Sequence, residues 1–472
     1  MDIFPMLIIL AVGVTSWMAA TGFRGRTTIV GIDLGTTYSV VCVRGQKGGI
    51  SPVEVVYDFA THSKIPSPLV PSVVSFLPNE EKVLAGSKAK QMIKRNPSNT
   101  VYNAKRFIGR DFDDPAVKLQ AKEVAFGVVR DVSSGNSGVA FKVPNRESAV
   151  PPTHIGKYVL EHLLEMVASH LGHRQVKSAV IAVPAKFNSE QRAATALAFK
   201  LAGLKVTRVM EEPTAAALAY GLNRKPNVHH ILVYDFGGGT LDVSVLHVSD
   251  GFVDVMDSAG DDELGGSDFD ARVASFLAVK YEGRIVEDKE TLYDECAGEV
   301  RGREPMLNLV EEGRRAEGKV VDNDNDENVP LCTLASLHYL AEQLKIAVST
   351  KDSIVHASRR CIGRSGGGGT DYKSNTNSNS CANLEIVELE LSKTEFEIVV
   401  QPLFDRSMQP IRDVLHQLDM TERDIDEVVM VGGSSRLPQI REMVKAELKA
   451  EKLNIEIDPD ITVAFGCASV ID

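Results

Sequence analysis

Three segments of the chain share one pattern: an apolar, β-branched run, a polar or glycine-rich break, then a second regular element. In residues 27–43, TTIVGIDLGTTYSVVCV, the pattern predicts two strands joined by a tight Gly35-Thr36-Thr37 turn, with Asp33 ending the first. Residues 231–246, ILVYDFGGGTLDVSVL, repeat it: a strand runs into Asp235, then Gly237-Gly238-Gly239-Thr240, then an alternating strand. Two such units some two hundred residues apart suggest a duplicated lobe. In the third, residues 427–444, a strand over 428–431 meets Gly432-Gly433, and a helix is expected from Leu437-Pro438, where proline suits a first turn.

The breaks carry the candidate chemistry. A carboxylate at the end of a buried strand is costly unless a cation or polar groups meet it. Consecutive glycines let the backbone approach an anion and aim N–H groups at it. Paired aspartates at facing turns can hold a hydrated divalent cation, which prefers oxygen ligands and keeps its waters. An isolated Asp-Leu-Gly is as well explained as an ordinary turn; the second copy changes the weight. Neither turn is a Walker loop, since no Gly-Lys-Ser/Thr follows. The Gly432-Gly433 pair suits a flat ring laid on backbone, with Arg436 placed to stack on it.

Composition narrows the picture only slightly. At 472 residues the chain is too long for one core, so two lobes are expected. Hydrophobic residues at 43% and charged residues at 25% describe a folded protein. A net charge of −12, with no Lys/Arg block, argues against nucleic acid as a partner. Cys42, Cys296, Cys332, Cys361, Cys381 and Cys467 lie far apart without a CxxC pair, which excludes the usual zinc spacings. Cys361 and Cys381 flank a low-complexity segment and could pair in an oxidising compartment.

Residues 3–23 carry no charge, as expected of a signal peptide or short membrane anchor. Asp2 and the absence of Lys or Arg before the run suit a signal poorly. Arg24 and Arg26 after it would leave a retained anchor with its globular part in the cytosol. No Asn-x-Ser/Thr sequon informs the compartment.

Taken with NTVYNAKRFIGR (99–110), AVIAVPAKFNSEQRAAT (179–195), LAGLKVTRVMEEPTAAALAYG (201–221) and DELGGSDFD (262–270), the three turns resemble the actin-like ATPase fold. In detail they resemble the 70-kilodalton heat-shock chaperone family, from about Thr27 to the last residues. The resemblance implies an α/β fold of two lobes, each a mixed sheet flanked by helices, with nucleotide in the central cleft. Residues 27–224 would form lobe I and 225–472 lobe II, with expansions at about 283–335 and 354–383. It implies that Asp33 and Asp235 hold Mg²⁺ through water. Gly35, Thr36, Thr37 and Tyr38 would face the phosphates from the first turn, and Gly237, Gly238, Gly239 and Thr240 from the second. Lys105 would sit near the γ-phosphate, and Glu212 and Asp242 would organise ions and the attacking water. Glu342, Lys345 and Ser349 would clasp the adenosine, completed by Gly433, Ser434, Arg436 and Asp460. Pro184 and Arg192 correspond to the family's switch between nucleotide states. ATP or ADP and Mg²⁺ are the implied cofactors, with K⁺ a further candidate ion. Nucleotide-exchange factors and J-domain cochaperones are implied partners of a monomer that meets a membrane only through its N-terminal segment.

Three departures from the family pattern stand out. Ile346 takes the place of an arginine that stacks on adenine, so a cation–π contact of about 0.5–2 kcal/mol is expected to be missing. On the resemblance, the last residues would lie just beyond the ATPase lobes, and the linker and peptide-binding domain are expected to be absent. The expansions include an acidic run and a Gly/Ser/Asn-rich run. One truncated, microsome-associated branch of the family shares these features, which implies the endoplasmic reticulum. The expectation is slow ATP hydrolysis by a chaperone-related protein; the alternative is a nucleotide-gated scaffold with negligible turnover.

Overall fold

A computed structural model describes residues 10–14, 16, 28–45, 53–59, 66–78, 83–93, 95–132, 138–172, 176–285, 332, 334–350, 356–364 and 384–471. Of the expected leader, residues 1–26, only 10–14 and 16 are among them, helical and exposed, and most of both expansions lies outside. Among the described residues no helix is long and apolar enough to cross a membrane. The chain forms two compact units: Met1–Gly260 with Pro410–Ser435 and Lys445–Asp472, and Asp261–Gln409 with Arg436–Val444. The first of the boundaries between them falls at Gly260/Asp261.

The first unit holds both sheets that bear the predicted turns. Strands β1 (Thr28–Leu34), β2 (Tyr38–Arg44), β3 (Val53–Val55), β4 (Val176–Val183) and β5 (Lys205–Glu211) run in the spatial order β5-β4-β1-β2-β3. β1 pairs antiparallel with β2 and parallel with β4. The second sheet has β6 (His230–Phe236), β7 (Leu241–Ser249), β8 (Phe252–Asp261) and the later strand Glu427–Val431, ordered β8-β7-β6 and then that strand. β6 is antiparallel to β7 and parallel to Glu427–Val431.

Two short helices, Glu212–Ala219 and Thr462–Ser469, lie between these sheets. Ala215, Ala216, Ala217, Val463, Ala464 and Ala468 share one core with Val40, Val180 and Ala182 of the first sheet and Ile231, Val233 and Val431 of the second. Small residues are required here because the backbones nearly touch. A Cβ on Gly466 would lie 1.9 Å from the Ala215 carbonyl oxygen, and one on Gly31 would lie 2.4 Å from Ala468 N. The opposite face of the first sheet packs Val30, Ile32 and Ile181 against helix Pro152–Leu171 and Phe199 of Ser189–Leu201. Both sheets are thus clamped on a common layer, and the C-terminal ends of β1 and β6 deliver Asp33 and Asp235. Cys42 and Cys467 are free and buried in this core; burial pushes the Cys42 thiol up to about 12.

In the second unit, strands His356–Arg364 and Leu384–Ser392 form an antiparallel pair, and helix Leu334–Thr350 packs on helix Gly266–Lys280. Cys361 does not take Cys381, the partner its flanking position allowed: it is bonded to Cys332, with Cα atoms 5.1 Å apart. Both sulfurs belong to fully buried residues. Strand pairing carries Cys361 inward beside the start of helix Leu334–Thr350, a proximity that sequence flanking does not show. Cys381 lies outside the described residues.

Candidate functional site

The three turns converge within the first unit. Asp33, the penultimate residue of β1, is paired in register with Val40. Gly35–Thr37 closes the hairpin, and Ser72 secures it: its hydroxyl donates to the Gly35 carbonyl at 2.8 Å and its N–H to the Thr37 carbonyl at 2.9 Å. The Tyr38 hydroxyl accepts a 2.7 Å hydrogen bond from Lys90 Nζ. In the second turn Gly237 N–H donates to the Thr240 carbonyl at 3.0 Å. Gly238 abuts the first turn so closely that a Cβ there would lie 2.5 Å from Thr37 Oγ1. The third turn backs the second. The Ser434 hydroxyl donates to the Gly237 carbonyl at 2.8 Å, and a Cβ on Gly433 would lie 2.9 Å from Asp460 Oδ1. Gly432 adopts φ 78°, and a Cβ there would meet the Phe236 carbonyl at 2.5 Å and Asp235 Oδ1 at 2.9 Å.

Charged side chains fill the space framed by the turns. Lys105, in a 3₁₀ turn, is 2.7 Å from Glu212 at the start of helix Glu212–Ala219, and both side chains are about nine-tenths buried, 11% and 12% exposed. Burial opposes the lysine's charge, but Glu212, Asp33 and Asp235 hold its ammonium above the usual range. Burial pushes the Asp33 carboxyl up to about 7; Lys105 opposes this while Glu212 and Asp460 add to it. Asp235 is raised well above the carboxylate range by burial, then by Glu212, Asp242 and Asp33. Asp235 and Asp242 face each other across β6 and β7. A small pocket is lined by Pro184, Ala185, Glu212, Asp235 and Asp242, among others.

The donor chemistry suits a hard cation without forming a finished cage. Asp33 Oδ1 is sealed from solvent and has no hydrogen-bond partner among the described residues. Crowded, desolvated carboxylates demand positive charge. Among the described residues no group of three or more His, Cys, Asp or Glu is poised to hold a metal directly. Mg²⁺ uses one or two carboxylates and retains its waters, so two aspartates suffice.

The predicted adenosine residues divide between the units. Gly433, Ser434 and Asp460 stand in the first. Glu342, Lys345 and Ser349 share one face of helix Leu334–Thr350 in the second, at i, i+3, i+7 spacing. Lys345 Nζ is 2.7 Å from Asp270 Oδ1 and donates to the Gly266 carbonyl at 2.9 Å, while the Ser349 hydroxyl donates to the Lys345 carbonyl at 2.6 Å. Ile346 is half exposed on the same helix. Arg436 is exposed and belongs to the second unit. Arg192 pins the segment after Pro184, donating to the Ala185 and Phe187 carbonyls at 2.9 and 2.8 Å and pairing with Glu211 at 2.9 Å.

Two cations escaped the sequence reading. Arg106 Nη2 donates to the Gly239 carbonyl at 2.5 Å, tying the lysine-bearing turn to the second glycine turn. Lys186 Nζ lies 3.8 Å from Asp242 Oδ1. Arg106 had a signal in its place beside Lys105. Lys186 had none beyond lying inside a stretch that carries the resemblance.

Two sheets, each ending in an aspartate and a glycine turn around a shared helical layer, make this an actin-like ATPase fold. The model of the Hsp70 protein family matches residues 29–293 and 368–471, and the chain belongs to that family. It is 35% identical over 446 residues to the Chaperone protein DnaK of Prochlorococcus marinus (strain MIT 9515), a match covering 93% of this chain and 58% of that protein. The chain thus spans under two-thirds of that relative's length.

Proposed function

We propose that the chain binds ATP with Mg²⁺ and hydrolyses it slowly to ADP and phosphate, as a chaperone-related protein. The observation that carries this is the convergence of three backbone turns on the buried carboxylates of Asp33, Asp235 and Glu212, with Lys105 among them and the partly exposed Asp242 beside Asp235. Phosphoryl transfer to water needs positioning and charge neutralisation more than covalent chemistry. Asp33 and Asp235 would hold Mg²⁺ through its water shell, and the ion supplies positive charge to the phosphate oxygens. Thr36, Thr37, Gly238 and Gly239 present backbone to the phosphates, Thr240 closes the second turn, and Lys105 neutralises developing charge. Glu212, fixed by Lys105, and Asp242 orient the attacking water, whose proton passes to solvent.

A nucleotide-gated scaffold is the second reading. It is favoured by Ile346 at the adenine position and by the engagement of Lys345 with Asp270 and Gly266. Placement in the endoplasmic reticulum is supported by the apolar leader and by the buried Cys332–Cys361 bridge, since such bonds persist in oxidising compartments. The same bridge counts against a cytosolic domain behind a retained anchor. Exchange factors and J-domain cochaperones are the proposed partners.

Titration of Mg·ADP into the full chain tests the site. Saturable binding abolished by a chelator is expected; binding indifferent to Mg²⁺ would overturn the assignment of Asp33 and Asp235.

A further inference from the structure

We infer that Lys186 is a positioning residue of the nucleotide site, a tethered monovalent cation serving Asp242 in the place a free alkali ion would otherwise take. The inference rests on the nucleotide reading above. The Lys186 ammonium stands 3.8 Å from Asp242 Oδ1, beyond hydrogen-bond length, so the contact is Coulombic. Space for the pair has been left by Gly260: a Cβ there would lie 2.8 Å from Lys186 Nζ and 3.0 Å from Asp242 Oδ1.

The backbone carrying Lys186 is held on both sides. Phe187 N–H donates to the Pro184 carbonyl at 3.1 Å, and Arg192 binds the carbonyls of Ala185 and Phe187. The next residue, Phe187, sets its ring 6.0 Å from Lys105 Nζ. One short loop therefore reaches both the buried lysine and the carboxylate opposite Asp235. Charge explains the arrangement: Lys105 pairs with Glu212 and is shared with Asp33 and Asp235, while Asp242, on the open side, has Lys186 beside it. An ammonium and K⁺ are alike in charge and close in size, so the tether makes an exchangeable ion at Asp242 redundant. At 39% exposure the lysine's influence is screened and moderate.

The test compares wild type, Lys186→Met and Lys186→Arg in KCl and in tetramethylammonium chloride at equal ionic strength, reading Mg·ADP affinity and phosphate release. Wild type is expected to be indifferent to the salt. Lys186→Met should lose roughly two- to fivefold in tetramethylammonium, the scale of a partly exposed ion pair, and recover in KCl; Lys186→Arg should resemble wild type. A variant equal to wild type in both salts overturns the proposal, as does a loss that KCl does not restore or a wild type equally dependent on KCl. Absence of Mg·ADP binding by any of the three proteins overturns the reading of the site itself, and this inference with it. Binding without measurable turnover leaves the affinity comparison to decide.

Discussion

Replacing Asp33 with asparagine should stabilise the ligand-free protein while weakening its response to nucleotide. Burial pushes the Asp33 carboxyl from 3.8 up to about 7. Between those values the native protein holds a proton that the unfolded chain has released, so stability falls as pH rises through this window and the loss is complete above it. Roughly three pH units at about 1.4 kcal/mol each set the penalty at no more than about 4 kcal/mol at pH 8. Asparagine keeps the shape and removes the charge. Thermal unfolding of wild type and Asp33→Asn without nucleotide should therefore coincide near pH 4 and diverge toward pH 8, with the variant melting higher. Adding Mg·ADP should raise the wild-type melting temperature more than the variant's. A variant that melts lower than wild type at pH 8, or that gains as much from Mg·ADP, would refute the claim that Asp33 is a desolvated carboxylate awaiting a cation.

Lys105→Ala should cost about 3–5 kcal/mol, because it strands Glu212 in a buried setting, and should abolish turnover; denaturant titration and phosphate release check both parts. Cys361→Ser should remove about 3–4 kcal/mol of unfolding free energy from the second unit, given a sequence separation of 29; melting with and without reductant shows whether wild type converges on the variant. Gly466→Ala should cost at least about 1–3 kcal/mol through overpacking against the Ala215 carbonyl. It should also slow turnover, since the displaced helix begins at Glu212.

Much of the site was legible because glycine and aspartate interrupt apolar runs where no core reason exists for them. All three turns fall where the pattern places them, and the helix after the third begins at Pro438. The resemblance located Lys105 and Glu212, 107 positions apart in the chain, which periodicity alone does not bring together. What stayed hidden depends on tertiary placement. The partner of Cys361 is chosen by where a strand meets the start of a helix, and Lys186 acquires its carboxylate only when β8 passes Asp242 with a glycine. Lys345 reads as a free ligand-binding lysine on its helix, yet Asp270 of helix Gly266–Lys280 already engages it. The expectations for most of residues 1–26 and most of the expansions fall outside the described residues.

The central claim is that these carboxylates and turns serve turnover of a nucleoside triphosphate. Phosphate release from Mg·ATP by the full chain, beside Asp235→Asn and Lys105→Ala, tests it most directly. The account predicts slow release by wild type that both variants lose; release no greater than that of the variants would contradict it.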